Sequence, residues 1–301
     1  MNIAGLGLSE HQTNDHLQQI LASALGERLG KQVLPDTLSD ALYWDAKFFN
    51  LEQVSIFQDA SLEEKREILH HANRGLMEEA YFIEKAGMGY MAKMVLLAET
   101  TEERMLYSLF AADETLHLSQ LRPFFCQEPV VVNDPFLNLL AEIIAHADKT
   151  LLLFVLQVVL EGWGLTHYRY LSKGCCDFTV AALFHGFLRA EAQHHATGVS
   201  LFKQVKLSQA TQSELVEVLQ TFLQMIRVGP QRIVAAIAQV KGDLSRSQKI
   251  LILEQLNTEY HSGTRLKLLR SLMHKAGATV IVEQLEQRNL FQPLPAHQCA
   301  L

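Results

Sequence analysis

Residues 84–117 read EKAGMGYMAKMVLLAETTEERMLYSLFAADETLH. The stretch opens on Glu84 and closes on Glu114-x-x-His117, and its pattern returns further along the chain as Glu161, Glu191 and His194. All three pairs, Glu84 with Glu161, Glu114 with Glu191 and His117 with His194, are separated by the same interval. At that interval Gly87 is also matched by Gly164 and Leu106 by Leu183. Three ionisable residues recurring at one constant offset mark an internal duplication, which decides how the rest of the chain is read.

The spacing has a chemical reason. Positions i and i+3 share a helix face, so Glu114 and His117 can grip one metal ion, as can Glu191 and His194. The gap from Glu84 to Glu114 suits an antiparallel helix pair that brings both carboxylates to one height. Its midpoint is Glu99, inside the turn-like AETTEE; in the second copy it is Cys176, between Gly174 and Asp177. Each arm is roughly 15 residues, or about 22 Å of helix. Two such pairs docked face to face bring four Glu and two His to one point. Burying four carboxylates together is very costly unless cations neutralise them, and two divalent ions would do so. Oxygen and imidazole donors without thiolate suit iron or manganese better than structural zinc.

One Glu from each of two helices, with Glu-x-x-His from each of two others, resembles the ferritin-like di-iron carboxylate superfamily over roughly residues 61–198. That resemblance implies an all-α fold, a ferritin-like four-helix bundle built from two helix pairs, with additional N- and C-terminal helices. It implies two iron ions, with manganese or a mixed pair as alternatives, and dioxygen as co-substrate. Glu114 and Glu191 would bridge; Glu84 and His117 would complete one ion's ligands, Glu161 and His194 the other's. The activity implied is oxidation of a small organic or acyl-type molecule with an external electron donor. Hydroxylation, desaturation, N-oxygenation and C–C cleavage remain open, as does a ferroxidase or iron-binding role without organic substrate. Three departures narrow the family. Leu121 stands where the reductase small subunit keeps its radical tyrosine, and Phe187 where arylamine oxygenases carry an extra His. The Cys-x-x-Cys pairs of a rubrerythrin are missing.

Helical counting extends the site. Asp113 precedes Glu114 in an Asp-Glu-x-x-His string and is expected to orient a ligand His. Gln157, one helical turn before Glu161, is expected to face inward beside it. Gly87 and Gly164 each lie at i+3 from a lone Glu. Each costs about 1 kcal/mol relative to alanine in a helix, so space beside the metals, or close packing, is needed there. Met88, Phe110, Phe154, Leu165 and Phe187 are the expected walls of an apolar pocket, with Phe184 and Tyr107 as core aromatics. His195 competes with His194 as a ligand, and His167 and His185 fall off the ligand faces. Glu67-x-x-His70 is a decoy. Thr37, at the place equivalent to Glu84, offers no ligand, and the pair has no copy at the repeat offset.

With 301 residues, 49% hydrophobic and 20% charged, the chain has an ordinary globular composition and can bury a sizeable core. A net charge of −7 argues against nucleic-acid binding through general basicity. Four cysteines make no disulfide framework, no signal peptide is visible, and the cytoplasm is the expected location. The apolar run 150–160 is too short to span a bilayer. A homodimer is compatible with all of this.

Ser61-x-x-Glu64 predicts the start of the helix carrying Glu84, after a helix over about 11–29 and the aromatic anchors Tyr43, Trp44, Phe48 and Phe49. Pro123 ends the second ligand helix and a crossover follows. Asn133-Asp134-Pro135 starts a third helix running to about Ser172, and Asp177 caps a fourth. A single domain over 1–301 is expected, with a metal-binding core at about 61–206 and further helices over about 207–290. A separate C-terminal helical domain after about 207 is the alternative. The tail from Gln287 reads as loosely ordered.

Overall fold

The computed structural model describes residues 3–8, 16–29, 41–130 and 134–300, and among them there is no β-strand. Helix α1 (His16–Leu29) is followed by the short α2 (Ser55–Gln58) and then by the long α3 (Leu62–Leu97) and α4 (Thr101–Leu121). After the crossover come α5 (Pro135–Ala145), α6 (Lys149–Leu152), a π-helical segment (Leu153–Leu160), α7 (Glu161–Gly174) and α8 (Phe178–Phe202). The C-terminal third holds α9 (Gln209–Arg227), α10 (Gln231–Lys241), α11 (Arg246–Gln255), α12 (Thr258–Lys275), α13 (Thr279–Gln287) and α14 (Ala296–Cys299). Residues 11–15, the stretch around Pro35 and Asn133 lie outside the described residues.

Local chemistry sets the ends of the ligand helices. Ser61 and Glu64 form the expected capping box at the start of α3, while Thr100 caps α4 and Asp177 caps α8. Short turns join α3 to α4 and α7 to α8, so each pair folds back antiparallel, at the two points the repeat midpoints predict. The pairs meet through α4 and α8. Tyr43, Trp44 and Phe49 are buried as anchors. Asn73 on α3 accepts from both the Tyr43 and Trp44 amides, and the Trp44 indole donates to the Leu171 carbonyl at 2.9 Å.

Two expectations need correction. The third helix is not continuous from Pro135. It breaks at 146–148, where Asp148 caps a new helix and Lys93 on α3 donates to the Ile144 and His146 carbonyls that end α5. This break lets α5 pack against α3 separately from α7. The tail is also docked rather than loose: Leu290 and Cys299 are buried, Gln231 donates to the Cys299 carbonyl, and Arg246 to that of His297.

The C-terminal helices pack on the bundle itself, α10 against α3 and α12 against both α7 and the π segment. One buried apolar core runs from Ala4 to Cys299. Among the described residues one helical run, Lys149–Gly174, is long and apolar enough to cross a membrane, because α6, the π segment and α7 join end to end; 56% of its most apolar window is buried inside the protein.

Candidate metal centre

The four long helices carry all six repeat-matched residues to one buried place. Glu84, Glu114, His117 and Glu191 form one group of converging donors, and Glu114, Glu161 and His194 form a second that shares Glu114. His117 Nδ1 lies 3.1 Å from Glu84, 3.5 Å from Glu114 Oε2 and 3.4 Å from Glu191 Oε1. His194 Nδ1 lies 3.5 Å from Glu114 Oε1, 3.5 Å from Glu161 and 3.8 Å from Glu191 Oε2. Glu114 and Glu191 therefore each turn one oxygen toward each imidazole, and Glu114 belongs to both donor groups. Of the two imidazoles, Glu84 meets His117 and Glu161 meets His194.

The residues fit a pair of metal ions on two counts. Both His194 Nδ1 and Glu161 Oε2 are buried with no hydrogen-bond partner, which is costly unless a ligand meets them. The side chains of the six are at most 13% exposed, so their charges have little water to lean on. Burial pushes the Glu114 carboxyl well above the usual range, helped by Glu84 and Glu191; burial also raises Glu191, and raises Glu161 to about 7. Glu84 is burdened by the same burial, but the charge of His117 and hydrogen bonds from His117, Glu114 and Tyr168 hold it below the usual value. His194 is opposed by burial yet rises to about 11 beside Glu161 and Asp113. Without metal, protons take the place of cations in the cluster.

The surroundings differ from the sequence reading in detail. Asp113 Oδ2 lies 3.4 Å from His194 Nε2, on the ring nitrogen opposite the cluster, so it can fix that imidazole's tautomer. Gln157 is buried, and its side-chain hydrogen bonds go elsewhere than to Glu161: it accepts from the Tyr107 hydroxyl at 2.7 Å and donates to the His194 carbonyl at 3.1 Å. Its segment is π-helical, which turns the residues before Glu161 away from their α-helical positions. Phe154, for the same reason, stacks on Phe202 rather than facing the site. Phe110 and Phe187 pack on the imidazoles of His194 and His117 at centroid distances of 4.4 and 4.1 Å. Met88 and Leu165 are half-buried, one position round the helix from the two glycines, and do not line the cavity.

That cavity, of about 100 Å³, lies between α3, α5 and α7 and reaches Glu84, Glu114, Glu161 and Glu191. Its apolar walls are Ile83 from α3, Phe136, Leu140 and Ile144 from α5, with Leu156, Leu160 and Trp163. Three of these walls come from α5, the helix expected to run on into the next one. Both glycines line the cavity, but with different roles. A Cβ on Gly87 would stand 2.9 Å from the Glu114 carboxyl carbon, whereas one on Gly164 would meet nothing within 4 Å. Gly87 makes room for a carboxylate; Gly164 leaves space open.

Two tyrosines and a histidine that helical counting from the repeat does not pick out also lie beside the cluster. Tyr168 is buried and donates a hydrogen bond to Glu84 Oε1. It lies one heptad past Glu161, a spacing that could have found it. Tyr90 lines the cavity, as does His167, whose Nε2 is 3.7 Å from Glu79 at the partly exposed end. Burial keeps His167 below its ordinary pKa. His195 turns Nδ1 to the Gln157 carbonyl at 2.9 Å and is outside both donor groups, which leaves His194 as the repeat has it. Glu67 is exposed and belongs to neither group, nor does His70.

No family model, no curated protein and no solved structure matches the chain.

Proposed function

We propose that the protein is a non-haem di-iron oxidoreductase of ferritin-like type, which uses dioxygen and an external electron donor to oxidise a small apolar organic or acyl-type molecule. The observation that carries this reading is a pair of buried Glu/His donor groups sharing Glu114 and opening onto an apolar cavity. Glu84 and His117 would hold one ion, Glu161 and His194 the other, with Glu114 and Glu191 between them. Manganese at one or both positions suits the same donors. When bound, the ion pair supplies the electron transfer to dioxygen that protein side chains do not provide.

The chain's own part is positioning, protonation and exclusion of water. Asp113 holds the His194 ring, and Phe110 and Phe187 wedge the two imidazoles in place. Tyr168 keeps a proton at Glu84 Oε1: burial and Glu84 raise its own pKa well above the usual value, so it remains a donor. The apolar walls favour a hydrocarbon body at about 25 cal/mol per Å² buried and reject an unpaired charge. Such walls support an organic substrate more than iron storage. We place the protein in the cytoplasm, where its four free cysteines stay reduced.

The test is oxygen uptake by protein loaded anaerobically with ferrous iron. Sustained uptake that requires an added organic molecule and a reductant supports the reading. Uptake that follows ferrous iron alone would replace it with a ferroxidase.

A further inference from the structure

Glu79 and Tyr90, both on α3, mark the two ends of the cavity. Glu79, Ile83, Gly87 and Tyr90 recur every three or four positions, so they form one stripe about 16 Å long beside the carboxylates. A volume of about 100 Å³ drawn out along such a stripe makes a thin slot, narrower than the compact cavity of about 150 Å³ that takes benzene. The end at Glu79 is partly exposed and charged, with Arg232 paired to Glu79. The end at Tyr90 is closed.

Tyr90 is 2% exposed, and its hydroxyl has no hydrogen-bond partner among the described residues. The neighbouring Tyr107 oxygen, whose own proton goes to Gln157 Oε1 at 2.7 Å, is a nearby acceptor but does not stand within hydrogen-bond geometry of the Tyr90 hydroxyl. A phenylalanine would fill the same space without stranding a polar atom, so the hydroxyl is unexplained by packing. Burial, with Tyr107 and Glu161 nearby, pushes its pKa well up, which keeps it a neutral donor. Among the described residues, no Lys or Arg lines the cavity to receive an ionised head.

We propose that Tyr90 is a substrate-binding residue whose hydroxyl hydrogen-bonds an uncharged oxygen at the closed end of the slot. The substrate class is then a slender, mainly aliphatic alcohol or carbonyl compound rather than a carboxylate or a bulky ring system. This rests on reading the cavity as the substrate site of the proposed enzyme.

The experiment compares the purified parent with Tyr90→Phe, using hexan-1-ol and hexane as probes and Trp163, which lines the cavity, as the fluorescent reporter. Iron and manganese content is measured on the same samples. The variant should bind hexan-1-ol about five- to tenfold more weakly, from the loss of one neutral hydrogen bond, and hexane as the parent does. Its melting temperature should not fall. Equal affinity of both proteins for hexan-1-ol would overturn the proposal and leave the hydroxyl as a water site. Equal loss of both probes, or binding of neither to the parent, would overturn it as well. Selective loss of hexan-1-ol in a protein without metal would support Tyr90 while refuting the di-metal reading; full metal with no selectivity would do the reverse.

Discussion

Alanine at Gly87 and alanine at Gly164 should have opposite consequences, although the two glycines hold equivalent places in the repeat. Both sit inside helices, where Gly→Ala contributes about 1 kcal/mol of stability. In a chain of this size that is a rise of about 2 °C in melting temperature. Gly164→Ala meets nothing within 4 Å and should show the full rise with unchanged metal binding. Gly87→Ala places its Cβ 2.9 Å from the Glu114 carboxyl carbon, where ordinary contact begins at 3.4 Å. Glu114 must therefore retreat by about half an ångström, and it is the residue both donor groups share. Displacing an oriented ligand costs roughly 10- to 100-fold in metal affinity. The assay is an anaerobic titration with ferrous iron or manganese, alongside melts of the metal-free proteins. Parent-like affinity in Gly87→Ala, or a comparable loss in Gly164→Ala, would refute the assignment of the two glycines.

The metal-free protein should lose stability as pH rises. Glu161 moves from 4.5 to about 7 and His194 from 6.5 to about 11 on folding, so the folded state binds more protons in both windows. Stability should fall from about pH 4.5 upward, and bound metal should flatten the curve by displacing those protons; a metal-free protein that gains stability between pH 5 and pH 8 in urea melts would contradict this. Tyr168→Phe removes the donor to Glu84 and should weaken metal binding roughly tenfold while leaving the helical circular dichroism intact. Unchanged affinity in that variant would reduce Tyr168 to a packing role. Leucine at Gly164 should keep the metals but fill the slot, so that organic-dependent oxygen uptake is lost; uptake at the parent's rate would show that the substrate goes elsewhere.

What the sequence shows of this protein follows the periodicities it obeys. The six candidate ligands were legible because the internal repeat ties each to a partner, and each sits in regular α-helical register within α3, α4, α7 or α8. The capping residues Ser61, Thr100, Asp134 and Asp177 fix the helix starts for the same local reason. Where the register changes, counting fails. The π segment before Glu161 carries Gln157 to the His194 carbonyl and Phe154 to Phe202, neither of which an α-helical wheel predicts. The cavity walls were missed because α5 is separated by a break that its apolar sequence conceals; only Asp148, a cap in front of Lys149 and Thr150, marks it. Packing of the C-terminal helices on α3 and α7 depends on long-range contacts that no local pattern encodes.

A site in which Glu84, Glu114, His117, Glu161, Glu191 and His194 together hold two metal ions fixes the metal stoichiometry of the protein. Protein loaded anaerobically with ferrous iron and desalted should retain two ions per chain by elemental analysis. Glu114→Ala should lose most of both, because its two oxygens face His117 and His194 separately. Glu67→Ala and His70→Ala should keep the parent's content. A single ion per chain, zinc alone, or full occupancy in Glu114→Ala would rule out the shared two-ion site.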